Sequence, residues 1–558
     1  MQEHYDVVIP GGGLAGLTLA IQLKRAKPDI SILILERRAT EAATAAHKVG
    51  ESTVELATHY MREILNLKGY LEAHELPKHG LRFFFKTNDK GEISNRVELG
   101  PRLKLPAPSH QLDRGTLENY LAKHVQALGA ELISGARAKD VNFSADGHEV
   151  FYVKDQQEVK VTGRWVADAT GRGSLLKRKL KFEKPMDHHV NAAWWRLKGV
   201  VDIDDWSDNT EWKRRLEPHL RYLSTVHFMD TGYWVWVIPL GSQNTSIGIV
   251  ADPAVHAFDE INTYDKAMSW LDKNEPLCHR MLKPIGEGDG LMDFKVLKHF
   301  AHHSGRFYSA ERWGVTGESG AFLDPLYSPG SDFISLANTW LADLILRELD
   351  GENIALRARI YEQSHLAQLE NWISIYQNKY LLMGNAQIMV VKIFWDWAIY
   401  WSIPCLLFTN NAFTDLKFLR ELFASANGLG SKFGRLNKVM QELFLAWLPY
   451  DTEVFSNRYI DPFDVGYLRE FQRGIEVQHG PKLLEQISNN LAKLEKVAAA
   501  IFRLVSTHVK GTSPDMRVDP YSISLAADAG APEIKHANGL LPDTSIANDV
   551  AIMWFYKN

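Results

Sequence analysis

Apolar positions in the first forty residues follow two periods in turn. Residues 5–9 make a short apolar run of strand type, residues 17–24 carry apolar side chains at helical spacing, and residues 31–35 make a second apolar run ending at Glu36. Between the first run and the helix stands Gly11-Gly12-Gly13-Leu14-Ala15-Gly16. The pattern predicts strand, glycine turn, helix, strand: a βαβ unit that opens a parallel sheet. Further on, a helix is expected after Glu51-Ser52-Thr53, another over 116–128 capped near Asp113 or Thr116, and a strand over 161–167 running into Thr170-Gly171. Between about 186 and 300 the period changes to two, with many aromatics, as in 233–240 and 245–250; this predicts a separate antiparallel sheet. Residues 313–320 read as a return to the first unit. From about 336 onward the pattern is mainly helical, with aromatic residues at helical spacing, and from about 510 a stretch richer in Pro, Ser and Asp is expected to wrap the surface.

Length and composition narrow the class. A chain of 558 residues is too long for one compact core. With 45% hydrophobic and 23% charged residues it reads as globular, and a net charge of -5 lacks the basic footprint of a nucleic-acid binder. Cys278 and Cys405 stand far apart with no Cys or His cluster, which argues against a disulfide framework or a zinc site and fits a reducing compartment. No signal-peptide pattern opens the sequence, so a cytoplasmic location is expected. Residues 388–408 are apolar, but Lys392, Asp396 and Pro404 interrupt them. A charge at bilayer depth costs roughly 3 kcal/mol, so a buried helix is expected rather than a transmembrane span.

The glycine turn carries the first chemistry. Gly11 and Gly13 permit a tight turn and close approach of backbone N–H groups to a pyrophosphate, Leu14 and Ala15 open the helix, and Gly16 allows close packing. Glu36, twenty residues after Gly16, can accept hydrogen bonds from ribose hydroxyls. This motif alone leaves FAD and NAD both open.

Three later segments resemble the FAD-dependent aromatic hydroxylase superfamily: Asp113-Arg114 before a helix, Ala167-Asp168-Ala169-Thr170-Gly171 at a strand end, and Gly317-Glu318 followed by Pro325 and Gly330. That family carries Asp where Glu318 stands here. Three more segments resemble the flavin-dependent halogenases. Trp234-Val235-Trp236-Val237-Ile238-Pro239 matches their WxWxIP signature, with Trp234, Trp236 and Ile238 on one face of a strand. Phe322 to Gly330 matches FxxPxxSxG. Gly50-Glu51-Ser52-Thr53, followed by Lys78 before the aromatic run Phe83-Phe84-Phe85, matches the segment that carries the family lysine.

The resemblance implies an α/β fold with a GxGxxG FAD-binding domain, an antiparallel β substrate sheet and a mainly α-helical C-terminal region. Its parts are expected at 1–185 (with a sheet insertion near 78–110), 186–300, 301–350 and 351–558. It implies FAD contacts from Gly11, Gly13, Leu14, Ala15, Gly16, Glu36, Arg37, Ser52, Arg114, Asp168, Gly171, Glu318, Asp324 and Ser331, and a halide held at Pro329 and Gly330. Catalytic roles fall to Lys78, which would deliver electrophilic halogen as an ammonium holding hypohalous acid or as a haloamine, and to Trp234, Trp236, Tyr327 and Ser328. Lys48 and Lys86 are the rival lysines. Tryptophan halogenases carry Glu where Tyr327 stands, which turns the expectation toward phenol, pyrrole or carrier-tethered substrates and leaves the ring proton without an assigned base.

Reduced FAD would come from a separate flavin reductase, chloride or bromide would be the halide, and the aromatic substrate would be free or tethered to an acyl carrier protein. Two other readings remain. An aromatic hydroxylase on the same scaffold would need substrate to reach the flavin directly. A flavoprotein that mainly docks to a membrane or partner would use the aromatic helical region over 372–447.

Overall fold

A computed structural model describes residues 3–44, 48–105, 108–423, 428–475, 481–526 and 538–556. The first sheet begins as the apolar runs predict. Strand His4–Pro10 pairs in parallel with Ile32–Glu36 on one side and with Gln157–Asp168 on the other, and Trp313–Val315 pairs in parallel beyond that. Val7, Val8, Ile9, Leu33 and Ile34 are fully buried because helices cover the sheet, as expected for a parallel sheet joined by crossovers. The first crossover is the helix Leu14–Ala26, two or three residues longer at each end than the periodic run. A hairpin, Arg137–Asn142 with His148–Lys154, adds antiparallel strands to Gln157–Asp168.

The second sheet has eight strands. In spatial order they are Leu291–Leu297, Asn191–Lys198, Asn244–Ala251, Tyr233–Pro239, Thr225–Asp230, Leu81–Phe85, Glu98–Leu99 and Tyr459–Ile460. Its pairs are antiparallel except that Thr225–Asp230 runs parallel to Leu81–Phe85 and Tyr459–Ile460 runs parallel to Glu98–Leu99. The two-residue period divides Tyr233–Pro239 between two cores: Trp234, Trp236 and Ile238 face the main core, while Tyr233, Val235 and Val237 face a smaller one.

The C-terminal third is built of long helices packed on one another, among them Pro329–Leu349, Ala355–Tyr376, Ala386–Tyr400, Leu429–Trp447 and Pro481–Lys510; Pro329–Leu349 also packs on the first helix, Leu14–Ala26. One helical stretch among the described residues, Ala386–Thr409, is long and apolar enough to cross a membrane. Its most apolar 18-residue window is 89% buried inside the protein, and its charges meet each other, Lys392 Nζ lying 2.5 Å from Asp396 Oδ2. The packing accounts for its apolar character.

Candidate active site

The glycine turn forms one wall of a cavity of about 730 Å³. Gly11 adopts φ +110°, and a Cβ there would lie 2.1 Å from the Ala169 carbonyl oxygen, so only glycine lets the two strand ends approach. No side chain caps the helix that follows Gly13, which leaves its first amides for a ligand. Gly11, Gly13, Leu14, Ala15, Glu36, Arg37, Ser52, Arg114, Gly171, Glu318, Asp324 and Ser331 all line this cavity. Arg114 and Lys48 are held there by one buried carboxylate: Glu118 Oε1 accepts from Arg114 Nη2 at 2.7 Å, and its Oε2 lies 2.5 Å from Lys48 Nζ. Uncapped amides, fixed cations and a glycine cradle suit a dinucleotide diphosphate, so the donor set fits FAD.

Two expected contacts lie behind the cavity. Gly16 packs against the turn itself, where a Cβ would meet the Gly11 carbonyl oxygen at 2.0 Å. Asp168 is fully buried, and its carboxylate accepts from Thr170 N, Thr170 Oγ1 and Leu176 N, so it shapes the turn that carries Gly171. Glu36 lines the cavity, but one oxygen already accepts from Gly12 N at 2.8 Å and the other from Arg38 N at 2.8 Å. Glu318 is half-exposed and stands 3.8 Å from Arg172 Nε. The carboxylate of Asp324 takes Tyr380 and His188 as partners.

The far wall holds the halogenase-like segments. Trp234, Trp236 and Ile238 line the cavity. Trp234 Nε1 donates to Tyr380 Oη at 3.0 Å and Trp236 Nε1 to Ser246 Oγ at 3.1 Å, so both rings are fixed by hydrogen bonds as well as by packing. The helix Pro329–Leu349 starts here, after Ser328 in the left-handed region (φ +61°), again without a side-chain cap. Pro329, Gly330 and Ser331, the first three residues of this helix, line the cavity at this end. Gly330 faces open space, as a small anion would need.

A second cavity of about 890 Å³ lies beyond this wall. Among the described residues the two cavities share no lining side chain. At two places the chain passes from one to the other within one or two residues: Ser52 lines the flavin-sized cavity and Val54 the second, and Tyr327 lines the second between Pro325 and Ser328, which line the first. Lys78 sits at this crossing. It is fully buried, lines the second cavity and donates to the Thr53 carbonyl oxygen at 2.6 Å. Burial pulls its ammonium down to about 7, against the opposing pull of Glu55 and then Asp332. The rival lysines lie elsewhere. Lys48 lines the first cavity, and Lys86 pairs with Asp230 at 3.4 Å and lines neither.

Tyr327 faces the second cavity with its hydroxyl committed. It donates to Asp396 Oδ2 at 3.0 Å, and burial holds the phenol well above its ordinary range, so it is a donor and not a base. The ring of Phe83 lies between the cavities, stacked on His227 at 4.6 Å and edge-on to Tyr327 at 6.4 Å. His227 is fully buried and held neutral, pushed down to about 3 by burial.

The sequence reading omitted Glu118, Glu55, Asp332 and Asp396. Glu118 had a signal, since it lies one helical turn after Arg114. Glu55 follows the GEST segment by two residues. Asp332 and Asp396 carried none, because they reach the site only through the packing of the helical third.

Residues 4–260 match the FAD binding domain family. The chain is 29% identical over 459 residues to a flavin-dependent halogenase, chlA, of Dictyostelium discoideum, covering 74% of each chain. It is 26% identical over 348 residues to a 1H-pyrrole-2-carbonyl-[peptidyl-carrier protein] chlorinase of Pseudomonas fluorescens, covering 59% of this chain and 73% of that one. The fold is that of halogenase PltM, with a TM-score of 0.65 at 18% identity over 88% of this chain and 96% of that one. The chain thus carries an FAD-binding domain over residues 4–260 and is similar, over about three quarters of its length, to a flavin-dependent halogenase.

Proposed function

We propose that this protein forms hypohalous acid in the flavin cavity and delivers it past Trp234 and Trp236 to Lys78, which presents it to an electron-rich aromatic ring in the second cavity. The observation that carries the reading is the place of Lys78: a fully buried amine on the substrate side, tied to Thr53 where the chain crosses the wall. Bound FAD, reduced by a separate reductase, supplies the oxygen activation. The chain's own residues do the rest. The turn at Pro329-Gly330-Ser331 would hold chloride or bromide, and the indoles would keep the ring away from the flavin. The Lys78 ammonium would donate to the hypohalous acid, polarising its oxygen–halogen bond.

Separate cavities favour this over direct hydroxylation, which needs the ring beside the flavin. The second cavity exceeds the space one ring fills, and its wall is rich in apolar rings such as Trp372, Trp397, Trp401 and Phe433. Exposed Lys104, Arg469 and Arg473 also line it. Room, grease and outer positive charge together support a phenol or pyrrole on a long acyl chain or carrier tether; two relatives are named for a pyrrole-2-carbonyl group on a peptidyl-carrier protein.

A panel of phenols, pyrroles and indoles, incubated with FAD, a flavin reductase and bromide and read by mass spectrometry, tests the reading. Bromide-dependent halogenated product that disappears in Lys78→Ala, with FAD binding retained, is the expected result. Halogenation retained in that variant would remove Lys78 from the account.

A further inference from the structure

The reading above leaves the ring proton without an acceptor, because the Tyr327 hydroxyl is a donor. Two carboxylates line the inner end of the second cavity, Asp396 and Glu55, and a third, Asp332, lies behind its lining. Asp396 is saturated: it accepts from Tyr327 and Gln441 and is paired with Lys392. Asp332 is also committed, with Oδ1 accepting from Ala57 N and Oδ2 from Tyr400 Oη, each at 2.9 Å. Glu55 lines the cavity, as Asp332 does not, and acts on Lys78, as Asp396 does not. It follows by two residues the Thr53 carbonyl that anchors Lys78, and its carboxylate accepts from Trp401 Nε1 at 3.0 Å and from its own backbone N–H.

On the reading that Lys78 delivers the halogen, we propose that Glu55 is the base that removes the ring proton and then returns it to Lys78. The steps balance. The ring carbon bonds to halogen as the oxygen–halogen bond of hypohalous acid breaks, and the departing hydroxide takes a proton from the Lys78 ammonium to leave as water. Glu55 accepts the proton of the same ring carbon, and the C–H electron pair restores aromaticity. The carboxylic acid then protonates the neutral Lys78 amine. The sum is arene plus hypohalous acid giving haloarene plus water, with both side chains reset.

The surroundings suit the return step. Burial raises the Glu55 carboxyl and lowers the Lys78 ammonium, so the two approach each other in acidity. The groups that face Glu55 come from every side: Lys78 from the strand Leu76–Lys78, Asp332 from the helix Pro329–Leu349, and Tyr400 and Cys405 from the stretch Ala386–Thr409. His59 lies one turn further along the same helix and lines the same cavity. Lys78 is the sole cation in this set, so ionised Glu55 depends on it.

The test uses the full chain with FAD, a flavin reductase, bromide and ring-deuterated 1,3-dihydroxybenzene. In Glu55→Gln, which keeps an acceptor for Trp401, bromination should slow about 100-fold. Proton loss should become rate-limiting, so an isotope effect absent from wild type should appear, and the acid limb of the pH–rate profile should vanish. Glu55→Asp should recover part of the rate. A Glu55→Gln rate within twofold of wild type, or a slower rate with no isotope effect and an unchanged pH profile, overturns the proposal. Should Glu55→Gln lose FAD, Glu55→Asp decides by the same isotope criterion. Absence of brominated product from the wild-type protein overturns the parent reading, and this one with it.

Discussion

The two cavities are built in opposite ways. The flavin cavity is shaped by backbone: glycines at Gly11 and Gly13, uncapped helix starts after Gly13 and Ser328, and a turn at Gly171 shaped by Asp168. The second cavity is shaped by side chains from distant parts of the chain, with Lys78 from the short strand Leu76–Lys78, Glu55 from a short helix, Tyr327 from the turn before the helix Pro329–Leu349, and Asp396 and Trp401 from the helical third. A cofactor with a fixed diphosphate can be held by amides whose positions follow from a few glycines. A variable substrate needs a wall that evolution can rewrite one side chain at a time.

That contrast can be broken from either side. The largest effect is expected in the backbone cavity. Gly11→Ala would force a Cβ against the Ala169 carbonyl in a left-handed conformation, costing roughly 3 kcal/mol or more, and the purified protein should carry no FAD by absorbance. An Ala variant that retains stoichiometric FAD would show that the glycine turn does not govern the cradle.

Next comes the side-chain cavity. Lys78→Met should leave FAD bound while halogenation falls on the order of 1,000-fold, since the proposed function gives Lys78 the task of polarising the oxidant. The wild-type rate should fall as pH rises past about 7, where the buried ammonium loses its proton, and fall again toward acid as Glu55 takes one up. Steady-state rates from pH 5 to 9 would show this bell. A rate still rising at pH 9 would mean that the neutral amine is the working form.

The wall should give a smaller effect. Trp236→Ala removes an indole packed on Gly248 and hydrogen-bonded to Ser246, and product formed per reduced flavin consumed should drop about tenfold as oxidant is lost or the ring reaches the flavin. Smallest of all, Tyr327→Phe should change the rate less than about threefold, because Asp396 keeps Lys392 and Gln441. A collapse of activity in that variant would restore a direct role to the phenol.

Legibility in the sequence follows the same division. The βαβ opening, the flavin cradle and the tryptophan strand are local: spacing of two or 3.6 and a fixed glycine pattern place Gly13, Trp234 and Trp236 without any knowledge of the fold. Lys78 was legible only through its motif. Glu55 was passed over because a lone glutamate after a helix start has the same pattern as a solvated one. Asp332 could not be read at all, and Asp396 was legible only as a charge on a helix expected to be buried: its pairing with Lys392 follows from i,i+4 spacing, but its meeting with Tyr327 depends on tertiary packing. The parallel pairing of Leu81–Phe85 with Thr225–Asp230 was hidden for a related reason, because more than a hundred residues separate two strands whose alternation permits either direction.

The central claim is separation of oxidant formation from substrate. Running the wild-type reaction under isotopically labelled dioxygen, with and without bromide, and weighing the aromatic product tests it most directly. The account predicts product that gains bromine and no labelled oxygen, and no product when bromide is omitted. Labelled oxygen in the ring, formed without halide, would contradict it.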